Sequence, residues 1–249
     1  MKNLQMNNLT SLRLVYLKDI LYANTDENHY ITVKEIIEIL DQNFDIQVSR
    51  KTIYEDIELL MKSGVDIESI KGRNNSNRYH VLSRDFDVAE LRILIDSIGS
   101  NRSLPLSKSQ LLIEKISRLA GPASDFLMQN TYVDNRPRTT NTMILYIIDA
   151  VSKAIHDKKQ IAFKYYEYLS ETKKVLKNKG EDYQVSPYQL VCSNDYYYML
   201  AIPFDEQKIK TYRVDRMKNT VETDIPAEPK PVNFNLEKYS SRVFDMFTG

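Results

Sequence analysis

Apolar residues over the first sixty positions recur at helical spacing in three blocks. Leu9, Leu12, Leu14, Val15, Leu17, Ile20 and Leu21 predict a helix over residues 9–24. After the polar turn TDENHY, Thr32-Val33-Lys34-Glu35 has the form of a capping box: Thr32 can accept from a backbone N–H while Glu35 reaches back. Ile36, Ile37, Ile39 and Leu40 give the second helix its apolar face. The third starts at Ser49, a favourable N-cap, and places Ile53, Ile57, Leu60 and Met61 on one stripe. Gly64 suits the position after its C-cap. VDIESI, KGRNNSNR and YHVL then read as strand, polar turn and strand.

The helical period continues through the middle of the chain. Asp87-Val88-Ala89-Glu90 is a second capping-box form and opens DFDVAELRILIDSI; residues 106–121 form another helix, ended by Gly121-Pro122. Their Leu and Ile stripes pack either on each other or on a second subunit. NRPRTTN, residues 135–141, reads as a linker, and MILYIIDAVSKAIHDKK as a helix with Ile144, Ile147, Ile148, Val151 and Ile155 on one side. From residue 160 the period changes to two. QIAFKYYEY alternates as a strand; the Lys-rich loop ETKKVLKNKGED separates it from YQVSPYQLVCSN. DYYYMLAIP follows, with Asn194-Asp195 as a hairpin turn, and then KIKTYRVDRMKNTVET. Several short antiparallel strands after one helix predict a small curled sheet or barrel, and the whole chain is α+β.

Composition narrows the chemistry. A length of 249 residues suggests two domains, and 42% apolar residues is ordinary for a soluble globular chain. Lys+Arg and Asp+Glu are both 34, so any nucleic-acid partner has to be argued from local clusters. One cysteine, Cys192, leaves no disulfide framework, and His29, His80 and His156 have no metal-ligand spacing. No apolar run approaches the ~20 residues of a membrane span, and the N-terminus lacks a signal-peptide core, so the expected location is cytoplasmic, with no membrane partner. Nothing reads as a nucleophile–base set or a phosphate-binding glycine loop, so no enzyme, metal or cofactor is expected.

The charges around the third helix do carry a signal. Lys51, Glu55, Glu58 and Lys62 lie opposite its stripe, and Ser49, Arg50, Lys51 and Thr52 crowd its first turn. Cations at a helix N-terminus are unfavourable for the macrodipole, and an anion there reverses the sign. Between Lys71 and Arg84 stand Lys71, Arg73, Arg78 and Arg84 and no acid. Three helices followed by a basic-tipped hairpin form a winged helix-turn-helix pattern, in which the third helix enters the major groove of double-stranded DNA. Ser49, Arg50, Lys51, Thr52 and Tyr54 are the expected duplex-facing residues, and Arg73 and Arg78 the expected wing contacts to phosphate. Against this, residues 1–85 hold 11 Lys and Arg and 13 Asp and Glu, a net of −2. A solvated amphipathic helix is the plain alternative.

Two resemblances extend the pattern. VSRKTIYEDIELLMKSGVDIES resembles the recognition helix and turn of DeoR-like and HTH-11 winged helix proteins, with Val48, Ser49, Arg50, Lys51, Thr52, Ile53, Tyr54, Asp56, Ile57, Leu60 and Gly64 matching. Glu55 departs from it, standing where that pattern has Arg; a carboxylate there can accept from a cytosine amino group. The C-terminal block resembles the WYL domain. Phe163 and Tyr165, the segment Ser186-Pro187-Tyr188-Gln189-Leu190, Tyr197-Tyr198-Met199 at the signature itself, and Tyr212-Arg213-Val214-Asp215-Arg216-Met217 carry the likeness. Tyr and Met replace the signature's Trp and Leu. The chain is thereby identified as a member of the WYL-domain transcriptional regulators.

The resemblance implies a fold and a role. Residues 1–84 are expected as the winged helix-turn-helix, 85–140 as a helical linker and dimerisation region, 141–232 as a WYL domain with an Sm-like or SH3-like β-barrel, and 233–249 as the start of a C-terminal extension. An anionic ligand is expected at Arg213 and Arg216, with hydroxyl partners Ser186, Tyr188 and Tyr198. An Arg213–Asp215 structural pair is the alternative. The resemblance implies a nucleotide or oligonucleotide as the ligand; the expected protein is a ligand-responsive DNA-binding regulator, a repressor more than an activator, on a palindromic operator whose symmetry a homodimer would match. Two rivals remain open: a single-strand nucleic-acid binder and a protein-interaction adaptor.

Overall fold

The structure, a computed structural model, describes residues 2–72, 76–129, 131, 136–169, 173–204, 206 and 208–232, with side chains from residue 10 onward. The basic-hairpin tip at Arg73 and the expected extension at 233–249 lie outside the described residues. The chain divides into two compact units, residues 1–99 with 111–132, and residues 100–110 with 133–249. Residues 85–140 contribute to both.

The N-terminal unit begins with α1 (Lys2–Asn24), β1 (Ile31–Thr32), α2 (Val33–Phe44) and α3 (Arg50–Lys62), followed by β2 (Ile67–Lys71) and β3 (Asn77–Val81). The three strands pair antiparallel in the order β1-β3-β2, so β3 lies between its hairpin partner and a strand that precedes α2. At two residues, β1 is too short for a period-two signal, and the sequence pattern did not mark it. Both expected caps form. Thr32 accepts from the Glu35 amide at 3.2 Å while the Glu35 carboxylate accepts from the Thr32 amide at 2.7 Å. Ser49 accepts from the Thr52 amide at 3.2 Å, and Gly64 has φ +98° just beyond the C-cap Ser63.

One core joins these elements. Leu17, Ile20 and Leu21 of α1 meet Ile36 and Leu40 of α2, Ile53, Ile57 and Leu60 of α3, and Ile67, Tyr79 and Val81 of the sheet. Two expectations are corrected here. Met61 is 48% exposed, and Leu12 and Val15 also face outward, so the stripes are narrower than the apolar residues suggest. Asp56, on the other flank of the stripe, is in the core instead. It is buried and receives both Nε and Nη2 of Arg13, the latter at 3.1 Å. That hydrogen-bonded carboxylate, more than the burial that opposes it, raises the Arg13 pKa above its ordinary value.

The unit continues through α4 (Val88–Ser100), capped by the expected Asp87–Glu90 box, and α5 (Leu106–Ser117), which belongs to the C-terminal unit through Gln110. The helix predicted to run to Gly121 tightens to a 3-10 turn at 118–123 before α6 (Ser124–Gln129). Gly121 is obligatory there: at φ +61° a Cβ would sit 2.4 Å from the Tyr22 carbonyl oxygen. Arg84 fastens the turn to α1, donating to the carbonyls of Leu119 and Tyr22 at 3.1 and 2.6 Å.

In the C-terminal unit α7 (Ile144–Asp157) lays Ile144, Ile147, Val151 and Ala154 on a sheet of β4 (Lys159–Tyr168), β5 (Lys174–Leu176), β6 (Tyr183–Ser193), β7 (Tyr196–Pro203), β8 (Lys210–Arg213) and β9 (Met217–Pro226). The pairing path runs β9-β4-β6-β7-β8, all antiparallel, with β5 added to the far end of β4. Its two ends, β8 and β9, are joined by only a 3-10 turn at 214–216, so the sheet must curl. No β8–β9 pairing closes it among the described residues. The architecture is therefore a curled antiparallel sheet, coarser than the expected barrel. Asn194 and Asp195, at φ 47° and 64°, make the expected hairpin turn. The Lys-rich loop contains β5, an edge strand of three residues.

Removing the buried partner of Arg13 by Asp56→Ala is expected to lower stability by about 3 kcal/mol, because the remaining charge is left unpaired in the core. The urea midpoint of unfolding is the readout, and an unchanged midpoint would show that the pair contributes nothing. The α2 cap makes a pH-dependent contribution. Hydrogen bonds from Thr32, aided by the charge of Arg78 and opposed by burial, hold the Glu35 carboxyl below its ordinary 4.5. A depressed pKa stabilises fully above 4.5 and loses that contribution as pH falls through the folded value. The thermal midpoint of the wild type should therefore exceed that of Glu35→Gln at neutral pH, with the gap narrowing in acid.

Candidate nucleic-acid interface and ligand cleft

The first turn of α3 is open. Ser49 and Thr52 hold it by the cap bond and by a 2.8 Å contact between their hydroxyls. Arg50 is exposed and has no partner among the described residues, and Lys51 is exposed with only a 3.8 Å contact to Glu55. Tyr54, one turn on, is 39% exposed. Five residues picked out in sequence thus share one helix end whose opposite face, Ile53, Ile57 and Leu60, is in the core.

Arg78 stands on β3 opposite Ile70 of β2 and Thr32 of β1. Its side chain runs over Gly72, where a Cβ would meet its Nε at 2.8 Å. The Gly72 amide donates to the Ser76 carbonyl at 2.8 Å, closing the base of the hairpin tip. Arg78 is exposed, and its charge also acts on Glu35 at the start of α2. Arg73, the other expected wing contact, lies outside the described residues.

In the C-terminal unit, the five expected ligand residues do not converge. Ser186 is buried and accepts from the Glu228 amide at 2.9 Å; Tyr188 donates to the Glu228 carbonyl at 3.0 Å. Both hydroxyls therefore hold the segment after β9. Tyr198 is buried within the sheet opposite Arg213. Arg213 grips Asp215 with two bonds of 3.0 and 2.8 Å and lies 3.7 Å over the Tyr196 ring. Burial works against its charge, but Asp215 outweighs burial and holds the guanidinium pKa above its ordinary value. Residues 214–216 form a 3-10 turn, so strand alternation does not set the direction of the Arg216 side chain.

Arg216 instead lines a cleft of about 570 Å³ with Tyr146, Tyr166, Tyr168, Lys174 and Lys218. The size suits a small molecule or one nucleotide. Arg216 and Lys174 lie 5.5 and 5.2 Å from the Tyr168 ring, and Lys218 lies 5.9 Å from that of Tyr166. Such contacts keep the cations beside aromatic faces without neutralising them. Two polar atoms here are buried without a partner among the described residues, Arg216 Nε and Thr220 Oγ1. A buried polar group without a partner is costly, which favours a site that a ligand completes. Tyr166, Tyr168, Lys174 and Lys218 were not singled out in sequence. KYYEY did carry the signal, since positions 166 and 168 share a strand face, but Lys174 needed the unexpected β5, which pairs it with Tyr168.

Among the described residues, no group of three or more His, Cys, Asp or Glu could hold a metal ion, and no helix is long and apolar enough to cross a membrane.

Comparison with known proteins places two domains on the chain. The HTH_11 model, an HTH domain, matches residues 17–74, and the WYL domain model matches residues 146–221. No curated protein matches significantly. Among solved structures, proteasome accessory factor B/C (PafBC) of Arthrobacter aurescens is similar at 14% identity and a TM-score of 0.31, over 90% of this chain and 34% of that one. The chain thus spans about a third of that protein's length. Neither matched domain family is enzymatic. With an HTH domain over its three-helix core and a WYL domain over its curled sheet, the chain matches the domain organisation of the WYL-domain helix-turn-helix transcriptional regulators.

Proposed function

We propose that the protein is a ligand-responsive transcriptional repressor that binds a palindromic operator as a homodimer. α3 enters the major groove with Ser49, Arg50, Lys51, Thr52 and Tyr54, while Arg78 and Arg73 approach the flanking phosphates. The observation that carries this proposal is the state of Arg50: exposed, uncommitted and placed at the positive end of a helix, where an anion is favoured. Two-fold pairing matches operator symmetry and doubles the phosphate contacts. Outward apolar side chains in the N-terminal unit, Ile93 at 67% and Phe126 at 62% exposure, support pairing.

The curled sheet is read as an Sm-like barrel whose ligand site is the Arg216 cleft. Tyrosine faces for a base and Arg216, Lys174 and Lys218 for phosphate favour a nucleotide or short single strand. Arg213 then acts beside the site, through Asp215, and Ser186, Tyr188 and Tyr198 through the sheet. A second reading, a single-strand binder independent of α3, rests on the same cleft. It predicts single-strand affinity that Arg216→Ala weakens and no duplex affinity for Arg50→Ala to weaken.

The test is fluorescence anisotropy on the duplex upstream of the protein's own gene, titrated with salt, against a scrambled duplex. Arg50→Ala is expected to cost about 1–3 kcal/mol on the upstream duplex, and Arg78→Ala to reduce the salt slope by about one. Equal, weak binding to both duplexes would overturn the operator role. For the cleft, Tyr168→Ala is expected to weaken a 5′-phosphorylated tetrathymidylate by about 1–3 kcal/mol, measured by calorimetry. Retained affinity would remove Tyr168 from the site.

A further inference from the structure

The segment 136–141, expected as a linker, is fastened at every residue. Arg136 donates to the Asp195 carboxylate at 3.1 Å, and the Pro137 carbonyl accepts from Arg102 Nε at 3.0 Å. Arg138 Nη1 donates to the Asn101 carbonyl at 2.7 Å and to Ser109 Oγ at 3.0 Å. The Thr139 amide donates to the Arg102 carbonyl at 3.0 Å, and Thr140 Oγ1 accepts from Lys174 Nζ at 2.7 Å. Asn141 Nδ2 donates to the carbonyls of Asp215 and Met217 at 3.1 and 2.9 Å.

The two ends of this segment serve different places. Asn141 and Lys174 line the cleft, and the two carbonyls that Asn141 holds flank Arg216. Arg138 grips residues 101–109, which include the first turn of α5, and Ser109 is fully buried. α5 then continues from residues of the C-terminal unit into residues of the N-terminal unit at 110–111. A ligand that engages the unpartnered Arg216 Nε pulls on the backbone that Asn141 clamps. Only Thr139 and Thr140 stand between the two clamps, and neither is a glycine, so little slack is left for such a displacement to dissipate.

We infer that residues 136–141 are a coupling strap between the cleft and the start of α5, with Asn141 as the positioning residue toward the cleft and Arg138 the one toward α5. The inference rests on the cleft being the ligand site, and it names how occupancy leaves that site. Coupling is reciprocal, so loosening either end must be felt at the other.

Hydrogen–deuterium exchange on the full chain tests this without DNA. Asn141→Ala is expected to speed exchange at 101–109 by roughly tenfold, and Arg138→Ala to do the same at 215–221, with β7 unchanged. Asn141→Asp, which keeps the shape and the acceptor for the Met143 amide but removes both donors, gives the same result if the alanine variant fails to fold. A 5′-phosphorylated tetrathymidylate should slow exchange at 217–221 in the wild type and in Arg138→Ala, but at 101–109 in the wild type alone. Substitutions that each loosen only their own end overturn the strap. An oligonucleotide that protects no amide counts against the ligand role of the cleft, while the reciprocal substitutions still decide the coupling.

Discussion

The short turn at Val214–Arg216 is the constraint on which the C-terminal unit depends. It joins the two ends of a five-strand path with three residues, so the sheet has to curl until those ends approach. Val214 is fully buried and anchors the turn, and the Asp215 carboxylate is drawn back onto Arg213. The same tightness turns Arg216 away from Arg213 into the cleft and presents the carbonyls of Asp215 and Met217 to Asn141. An extended strand over these residues would put successive side chains on opposite faces and offer neither arrangement. The curl of the sheet, the candidate cleft and the proposed strap therefore share one local geometry. The Arg213–Asp215 pair, an alternative to a ligand contact when only the sequence is considered, is what fixes that geometry.

In the N-terminal unit the corresponding constraint is Asp56. It stands among α3 residues whose neighbours toward the core are aliphatic, so its charge is tolerable only with the bidentate Arg13 beside it. Replacing such a pair by apolar residues often costs no stability, but the pair has a direction that aliphatic contacts lack, and it ties one face of α3 to Arg13 of α1. Rotation decides which side chains of the first turn face outward. Arg50, Lys51 and Tyr54 are presented because Asp56, Ile53 and Ile57 cannot be.

The winged helix was legible because its signals are local. Capping boxes at Thr32–Glu35 and Asp87–Glu90 and the Ser49 cap are decided by residues three apart, and all three form. What escaped depended on distant partners. Nothing near Asp56 in sequence announces Arg13, 43 residues earlier. NRPRTTN has the composition of a linker, and only the carbonyls of 101, 215 and 217 make it a strap. The expected ligand residues also depended on distant partners: the hydroxyls of Ser186 and Tyr188 bond to residue 228, which nothing near them in sequence announces. Tyr166 and Tyr168 share a face that alternation could identify, whereas the cations above them come from β5, β9 and the turn.

Counting charge along the sequence leaves out where the acids of residues 1–85 stand, and several of those near the reading head are held by partners in space. Asp56 is buried under Arg13, and Glu35 is held in its cap beside Arg78. Glu55 and Glu58, on the outer face of α3, have Lys51 and Lys62 one turn away at 3.8 and 4.0 Å. These last pairs are exposed, and contacts of this kind contribute about 0–1 kcal/mol, less in salt. A phosphate can therefore draw Lys51 from Glu55 at little cost, freeing the carboxylate to accept from a base amino group. On the proposed operator, the residue that departs from the recognition-helix pattern would serve as a selector, since a carboxylate facing a groove penalises every base edge that offers only acceptors.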